Sequence, residues 1–195
     1  MGAKSLMMSL LLLFGCNVAP IAVVHEITAH EEQELHKTSE AIDAGFLNRA
    51  PESQGGWQLP PEVRVCVTAP VSERRVNKAL DFWRELGYSF SRIYFNDISR
   101  HCIENVFSYN TIIIDLIDGS HREPALATTT SWIDRETREI LKAKIALKNS
   151  WGEAERILEH ELGHALGWLD YNQTGHIMHH EWSRGGLNTT GVEVQ

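Results

Sequence analysis

The amino-acid sequence predicts an α+β fold, and three observations support this prediction. The chain has 195 residues, which is enough for one domain with a substantial hydrophobic core but hardly enough for two. Its composition is that of a globular protein, with 43% hydrophobic and 23% charged residues. Along the chain, a strand-like segment is followed by an amphipathic helix, then by several strand-like segments, and then by a second helix.

The charge of the chain argues against one kind of partner. The net charge is −8, whereas a nucleic-acid-binding protein needs a basic face, so we expect no nucleic-acid partner. Histidine is frequent, with 10 residues. A short histidine motif can therefore arise by chance, and the residues around it must support any functional interpretation.

Residues 1–16 are typical of an export signal. Lys4 supplies a charged start, and Leu6–Phe14 is an uninterrupted apolar run that is too short to span a bilayer. The Leu-Phe-Gly-Cys that ends at Cys16 resembles the lipobox of bacterial lipoproteins, in which the cysteine is lipidated and becomes the mature N-terminus. We expect an exported protein, anchored by lipid at Cys16 in the bacterial cell envelope. The alternative is an ordinary cleaved signal and a secreted protein.

Residues 17–56 are predicted to be a partly helical tether between this anchor and the domain. The middle of the segment is polar with a thin apolar stripe, and its end has the Pro-, Ser- and Gly-rich composition of a linker. A segment that masks a metal site is the alternative, since His25, His30 and His36 all lie here. The domain itself is placed at residues 57–195.

The predicted domain starts with a strand and a helix. Pro61–Val67 alternates apolar and polar residues, which is the pattern of a half-buried strand. A helix then runs from Ser72 to Leu86 and ends at Gly87, a residue type that is common just after a helix C-terminus. Its apolar residues recur at helical spacing and are expected to face the core: Val76, Ala79, Leu80, Trp83 and Leu86.

Four further segments have the character of strands. Ser91–Phe95 is predicted to be a short strand, and Thr111–Ile117 a strongly apolar, buried one. Ala125–Trp132 and Ile140–Leu147 are predicted to form a hairpin, because the polar residues 134–137 lie between them.

The cysteines indicate a disulfide. If Cys16 carries lipid, Cys66 and Cys102 remain. Two remaining cysteines in an exported protein are a disulfide candidate, with two separate buried thiols as the alternative. Neither cysteine is near the histidine motif in sequence, so we do not expect them to bind a metal.

The most informative stretch is residues 150–170. Ser150 and a glutamate three residues later form the pattern of a capping box, so a helix is predicted to begin at Trp151. The helix carries a His-Glu-x-x-His motif. His160 and His164 are one turn apart on the same face, so both imidazoles can reach one metal ion.

Glu161 and Asp170 complete the predicted site. Glu161 lies beside the two histidines, where a carboxylate can act on a metal-activated water. Gly167 permits a left-handed turn that ends the helix and brings Asp170 within reach of the metal as a third ligand. Two histidines and a carboxylate are an accepted set for catalytic Zn²⁺. The same set suits non-haem iron(II), but the adjacent glutamate and the helical histidine pair favour zinc and hydrolysis.

From Ser150 to His180 the sequence resembles the metzincin clan of zinc peptidases, and most closely its matrixin type. Residues 160–167, His-Glu-Leu-Gly-His-Ala-Leu-Gly, nearly reproduce the matrixin motif, and the Gly-His-Ile-Met that ends at Met178 resembles the Met-turn. With Asp170 as third ligand, the spacing to this turn matches matrixins without a gap. Three nearby histidines are the rival ligands, the first being the next choice: His176, His179 and His180.

The resemblance implies a fold, an activity and roles for individual residues. The fold would be a zincin-like twisted mixed sheet with an active-site helix and a second packing helix. Ala125–Ser131 would be its edge strand and would hold a peptide or protein substrate antiparallel to itself. The activity would be that of a zinc endopeptidase, with one Zn²⁺ bound by His160, His164 and Asp170, and with Glu161 as general base.

Two other functions stay open at this point. One is a non-catalytic envelope module that keeps the zinc fold for binding or as an adaptor, although the intact Glu161 does not favour it. The other is a zinc amidase that acts on cell-wall peptides. Met178 is expected to shape the floor of the site. His180 takes the place of a tyrosine that lies near the metal in related enzymes, and a surface position is the alternative for it.

Overall fold

The structure is a computed structural model that describes residues 20–28, 50–104, 106–117 and 125–194. These residues form six strands: β1 (Ile21–Thr28), β2 (Glu62–Cys66), β3 (Ile93–Asp97), β4 (Thr111–Leu116), β5 (Ala125–Ile133) and β6 (Ile140–Leu147). They also form three helices: α1 (Glu73–Glu85), α2 (Arg100–Ile103) and α3 (Ile157–Ala165). The predicted α+β class is confirmed.

Several predictions concern residues outside the described ranges. They include the export signal of residues 1–16 with its lipid-carrying Cys16, and most of the tether, residues 29–49. Among the helices of the described residues, none is long and apolar enough to cross a membrane.

The six strands belong to one mixed sheet in the order β1-β5-β6-β4-β2-β3. β4 pairs in parallel with both β6 and β2, and β2 pairs in parallel with β3. β5 runs antiparallel to β6 on one side and to β1 on the other. The predicted strands are all present, with ends that differ from the prediction by at most two residues.

Helix α1 follows its prediction closely. Ser72 caps its N-terminus by accepting a hydrogen bond from the backbone N–H of Arg75 at 3.2 Å. Gly87 follows its C-terminus with a φ of +98°, a conformation that glycine adopts without strain. Four residues of the predicted stripe are fully buried in the core: Val76, Ala79, Leu80 and Trp83.

Helix α3 packs against β5, β6 and α1. A buried ion pair connects the two helices, because the guanidinium of Arg75 donates to both carboxylate oxygens of Glu159, to Oε1 at 2.8 Å. The indole of Trp83 also donates to the backbone carbonyl of Glu159, at 2.8 Å. These bonds fix the first turn of α3, and thus the histidines that follow it.

The predicted start of this helix at Trp151 was wrong. Residues 151–156 form turns, and α3 begins at Ile157. The carboxylate of Glu153 accepts hydrogen bonds from the backbone and hydroxyl of Ser72 instead of capping its own helix. Gly152 also packs so closely on the chain that a Cβ there would lie 1.9 Å from the carbonyl oxygen of Pro70. Tertiary contacts therefore replace the local capping box.

The predicted disulfide is present. It joins Cys66, the last residue of β2, to Cys102 in α2, with a Cα–Cα distance of 5.5 Å. The bond attaches the short helix α2 to the sheet.

Part of the predicted tether is built into the sheet, which corrects the prediction for residues 21–28. These residues form β1, which pairs with β5 from Ile21 opposite Ile133 to Thr28 opposite Ala125. The segment alternates, with Ile21 and Val23 half-buried and Val24 54% exposed. The prediction that β5 is an edge strand is corrected as well, because β1 covers its outer side.

Residues 53–56, expected to end the linker, also belong to the fold. The backbone N–H of Gln54 donates to Gly167 at 2.8 Å, and that of Gly56 donates to Arg138 at 3.1 Å. A Cβ at Gly55 would lie 2.2 Å from the carbonyl oxygen of Arg138. The glycines here therefore serve close packing of two backbones, which linker composition alone does not reveal.

Candidate metal centre

The two motif histidines lie together in the interior on α3. His160 is 1% exposed and His164 is fully buried. Their Nε2 atoms are 2.9 Å apart, so the helical spacing brings both rings to one point, as the sequence predicts.

Backbone carbonyls orient both rings. The Nδ1 of His160 is 2.8 Å from the carbonyl oxygen of Ile177, and the Nδ1 of His164 is 2.7 Å from that of Trp168. A carbonyl only accepts hydrogen bonds, so each Nδ1 carries the proton and each neutral ring presents a lone pair at Nε2. This is the tautomer that a metal-ligating histidine uses.

The turn after α3 delivers Asp170 to the same point. Gly167 adopts a φ of +108°, as predicted, and its N–H donates to His164 while the N–H of Trp168 donates to Gly163, both at 3.0 Å. This pattern reverses the chain directly after the helix. As a result, Oδ1 of Asp170 lies 3.4 Å from Nε2 of His164 and 3.7 Å from Nε2 of His160.

Residues 52–55, which precede the first residue of the predicted domain, hold this turn in place. The backbone N–H of Leu169 donates to Glu52 at 2.9 Å, and the hydroxyl of Ser53 donates to Gly167 at 3.2 Å. A Cβ at Gly167 would lie 2.1 Å from the carbonyl oxygen of Gly55. Glycine is therefore required at position 167 both for its backbone conformation and for this close approach.

The three donor atoms fit a zinc ion. Ligands of a tetrahedral Zn²⁺ with bonds of about 2.0–2.1 Å lie about 3.3 Å from one another. The distances among the Nε2 atoms of His160 and His164 and Oδ1 of Asp170 are 2.9, 3.4 and 3.7 Å. With neutral rings all three are acceptors, and such a convergence of lone pairs is stabilised by a cation between them.

Burial and charge shift the pKa values of these ligands. Burial and the charge of His164 lower the pKa of His160 to about 3. Burial also lowers the pKa of His164, but the hydrogen bond and charge of Asp170 outweigh it and hold that pKa above its ordinary value. Burial raises the pKa of the Asp170 carboxyl, and the hydrogen bond and charge of His164 more than reverse this. A bound cation would compete with a proton for Nε2 of His164, so metal binding there would become weaker as the pH falls.

Glu161 is buried next to this cluster. Its Oε2 accepts a hydrogen bond of 2.5 Å from the hydroxyl of Thr129 on β5, which is also 3.1 Å from the Glu161 backbone carbonyl. The charge of Glu161 contributes to the raised pKa of His164, as expected for a carboxylate close to the ligands. β5 therefore positions the carboxylate that the motif provides.

Met178 lies under the helix, at the point where α3 has a glycine. A Cβ at Gly163 would lie 2.3 Å from the sulfur of Met178 and 2.8 Å from the ring of Trp83. Met178 is fully buried, and the carbonyl of its neighbour Ile177 orients His160. Met178 thus packs beneath α3, and its neighbour Ile177 orients a predicted ligand. This is the position that the sequence analysis expected for Met178.

His25 on β1 also lies at the site; in the sequence it belongs to the segment for which masking of a metal site was the alternative. Its ring stacks on that of His164, with centroids 4.1 Å apart and an interplanar angle of 8°. One ligand atom each from His25, His164 and Asp170 lie within 4.8 Å of one another. Burial and the charge of His164 lower the pKa of His25 to about 4. The apolar, β-branched-rich run Ile-Ala-Val-Val of residues 21–24 is the signal that could have indicated a strand here.

Two sets of three ligands are therefore possible, and they share His164 and Asp170. The set with His160 has the shorter distances and two carbonyl-oriented rings. The set with His25 recruits a half-buried residue from β1. The rings of His25 and His164 are nearly parallel, with an interplanar angle of 8°. Because the lone pair of a ring nitrogen lies in the ring plane, an ion held by Nε2 of His164 lies out of the plane of His25, and we treat His160 as the third ligand.

The rival histidines are engaged elsewhere. The Nδ1 of His176 accepts from the N–H of Met178 at 3.0 Å, and its Nε2 is 3.3 Å from the carbonyl of Thr190. The Nδ1 of His179 accepts from the N–H of Glu181 at 3.0 Å. The Nδ1 of His180 is 2.5 Å from the side chain of Asn172. These contacts favour Asp170 as the third ligand.

Compared with known proteins, the chain matches no family model, and no curated protein or solved structure is significantly similar to it. The function must therefore be argued from the residues and geometry of the site. The resemblance to metzincins stays a prediction from the motif.

Proposed function

We propose that the chain is a zinc-dependent endopeptidase with a metzincin-like fold, exported and attached to the cell envelope by lipid at Cys16. One observation carries this proposal. The Nε2 atoms of two carbonyl-oriented histidines and a carboxylate oxygen converge within 3.7 Å, and a buried glutamate lies next to them on the same helix. Two histidines and a carboxylate leave a coordination position for a water in catalytic zinc sites.

His160, His164 and Asp170 would hold the metal. A Zn²⁺ ion bound there would act as a Lewis acid towards a water and the scissile carbonyl. The carbonyls of Ile177 and Trp168 keep the two imidazoles in the correct tautomer and orientation.

Glu161 is the proposed general base. It accepts the proton of the attacking water and then passes it to the leaving amine. The hydrogen bond from Thr129 to Oε2 holds one carboxylate oxygen in place. Since Thr129 belongs to β5, the position of the carboxylate is tied to the strand that would bind the substrate.

β5 is the proposed binding strand for an extended peptide. β1 pairs antiparallel with the outer side of β5. An extended peptide that took the place of β1 would bind β5 in the same way, as extended peptides bind sheet edges. Thr129 lies within the paired stretch and contacts Glu161. This arrangement favours a peptide or protein substrate.

The test is cleavage of a denatured protein by the zinc-loaded full chain, with the cut sites read by mass spectrometry. Glu161→Gln should bind zinc as well as the wild type and lower the cleavage rate by about 10²–10⁴-fold, the usual contribution of a general base. Glu136→Gln is the matched control, because Glu136 is exposed in the turn between β5 and β6 and should leave the rate unchanged.

Other outcomes separate the remaining functions. Equal cleavage by Glu161→Gln and the wild type would refute the role of Glu161. A chain that binds zinc in an accessible site but cuts no protein would support the non-catalytic module. Release of peptide fragments from peptidoglycan, without proteolysis, would support the amidase.

A further inference from the structure

Three aromatic rings lie around a lysine near the sheet edge where β2, β4 and β6 begin. The ring of Phe107 makes edge-to-face contacts with those of Tyr109 and Trp132, with centroids 5.1 and 6.2 Å apart. The ammonium of Lys142 lies 5.4 Å from the ring centroid of Phe107 and 4.9 Å from that of Trp132. Cation–π attraction therefore joins these four side chains into one group, which we call the aromatic cluster.

Much of the aromatic cluster faces solvent. Tyr109 is 72% exposed and Phe107 is 38% exposed. Leu59, 66% exposed, belongs to the same edge, because the carbonyl of the next residue, Pro60, accepts a hydrogen bond of 3.1 Å from the side chain of Asn110. Apolar side chains that adjoin on a surface in this way mark an interaction site.

Lys142 brings a positive charge to the cluster without an acidic partner. Its side chain is almost fully buried, and no carboxylate of the residues that the structure describes forms an ion pair with it. Asp115 pairs with the neighbouring Lys144 instead, at 3.2 Å. Burial and the charge of Lys144 lower the pKa of Lys142. Because cations in apolar surroundings are usually paired, a negative group beside the rings would be stabilised by this charge.

The strand register puts the aromatic cluster next to the start of β1. Ala22 lies opposite Trp132, and Trp132 lies opposite Lys142. Only five peptide units join Cys16 to Ile21, and a fully extended chain of this length spans about 18 Å. A lipid at Cys16 therefore holds this edge of the sheet close to the bilayer, whatever path the chain takes.

We propose that the aromatic cluster and Leu59 dock on the phospholipid bilayer to which Cys16 is anchored. This inference rests on the lipid anchor of the proposed function, because the anchor decides which surface meets the membrane. Tyrosine and tryptophan are enriched at membrane interfaces, where their rings lie among the headgroups. The phosphates of the headgroups supply the negative charge that Lys142 lacks.

Docking at this surface also orients the metal centre. Ala143 and Ile145 of β6 belong to the core beneath the helices. Lys142 alternates with them along the strand and therefore lies on the other face of the sheet. The metal ligands belong to α3 and the turn that follows it. The docked bilayer and the metal centre thus lie on opposite faces of the sheet, so docking does not cover the ligands.

Quenching of tryptophan fluorescence tests the docking in the full chain. The protein is reconstituted in vesicles of phosphatidylethanolamine and phosphatidylglycerol whose acyl chains carry bromine close to the headgroup, where it quenches only nearby rings. The difference between the wild type and Trp132→Phe isolates the emission of Trp132. This emission should be quenched in the brominated vesicles. Mass spectrometry of the same sample shows whether Cys16 carries lipid.

Two double variants separate docking from anchoring, each compared with its own Trp132→Phe form. Tyr109→Glu with Leu59→Glu places two carboxylates at the proposed interface and should abolish the quenching of Trp132, while the protein stays in the vesicles. Ile103→Glu with Ile98→Glu is the matched control. These two residues are 71% and 68% exposed and follow β3 at the opposite edge of the sheet, so the quenching should be that of the wild type.

The outcomes distinguish docking, anchoring and catalysis. Unquenched Trp132 in a wild type that carries lipid, or equal quenching in both double variants, would overturn the docking and leave the anchor intact. If Cys16 carries no lipid, the anchor fails, and docking stands only if vesicles still quench Trp132. A wild type that sediments as a dimer, which Tyr109→Glu with Leu59→Glu dissociates, would assign the cluster to a second copy of the chain. None of these measurements depends on peptide cleavage.

Discussion

Replacing Gly163 by alanine tests how the helix, the floor and the metal ligands depend on one another. The new methyl group would point at two buried side chains, 2.3 Å from the sulfur of Met178 and 2.8 Å from Cζ2 of Trp83. Met178 adjoins Ile177, whose carbonyl orients His160 at 2.8 Å. A shift of Met178 should therefore disturb a metal ligand that the substitution itself does not touch.

The size of the effect follows from these distances. Nonbonded heavy atoms pack best at about 3.5–4.0 Å, so the sulfur must move by about 1.5 Å or the helix must shift. Overpacking of this kind costs about 1–3 kcal/mol, and the better helix propensity of alanine recovers up to about 1 kcal/mol. We expect Gly163→Ala to lower the free energy of unfolding by about 1–2 kcal/mol, and the zinc affinity by about tenfold.

Urea unfolding and competition with a zinc chelator measure these two quantities. Gly56→Ala is the control, because a Cβ at Gly56 meets nothing within 4 Å. Gly163→Ala combined with Met178→Ala removes the contact with Met178, while the contact with Trp83 at 2.8 Å remains. The double variant should therefore bring back only part of the zinc affinity, which a double-mutant cycle detects. A single variant as stable and as tight for zinc as the wild type would refute the proposed packing of Met178 beneath the helix.

Two further predictions concern the disulfide and Thr129. Cys66→Ser with Cys102→Ser opens a loop with a sequence separation of 36 and should lower the free energy of unfolding by about 3–4 kcal/mol in urea; an unchanged midpoint would contradict this. Thr129→Val removes a charge-assisted hydrogen bond worth about 1.5–3 kcal/mol, so kcat should fall about 10–100-fold while KM and zinc affinity stay unchanged. Thr130 lies on the opposite face of β5, so the control Thr130→Val should leave kcat, KM and zinc affinity unchanged.

Local patterns predicted much of the fold. Alternation and apolar runs located β2 to β6, and helical spacing with Ser72 and Gly87 located α1. The disulfide followed from composition, since two cysteines without lipid allow a single pairing. Gly167 adopts the left-handed conformation that was predicted, and Asp170 lies close to both histidines, because the turn between them is local.

Long-range contacts determine three features that the sequence did not predict: the start of α3, the strand β1 and the position of His25. The carboxylate of Glu153 accepts hydrogen bonds from Ser72, far earlier in the chain, so the capping box predicted for Ser150 and Glu153 does not form. β1 pairs with a strand about 100 residues later, and its register depends on the free edge of β5. His25 therefore joins the site by tertiary pairing, which the spacing of the motif does not encode.

The most direct test of the proposed metal centre is the zinc affinity of the full chain and two of its variants. Asp170 lies within 3.7 Å of both ligand histidines, whereas both ring nitrogens of His176 contact other groups. We predict one zinc ion per wild-type chain, a loss of affinity of at least about 100-fold in Asp170→Ala, and a change of less than about threefold in His176→Ala. Unchanged affinity in Asp170→Ala with a steep loss in His176→Ala would contradict the assignment and move the third ligand to His176.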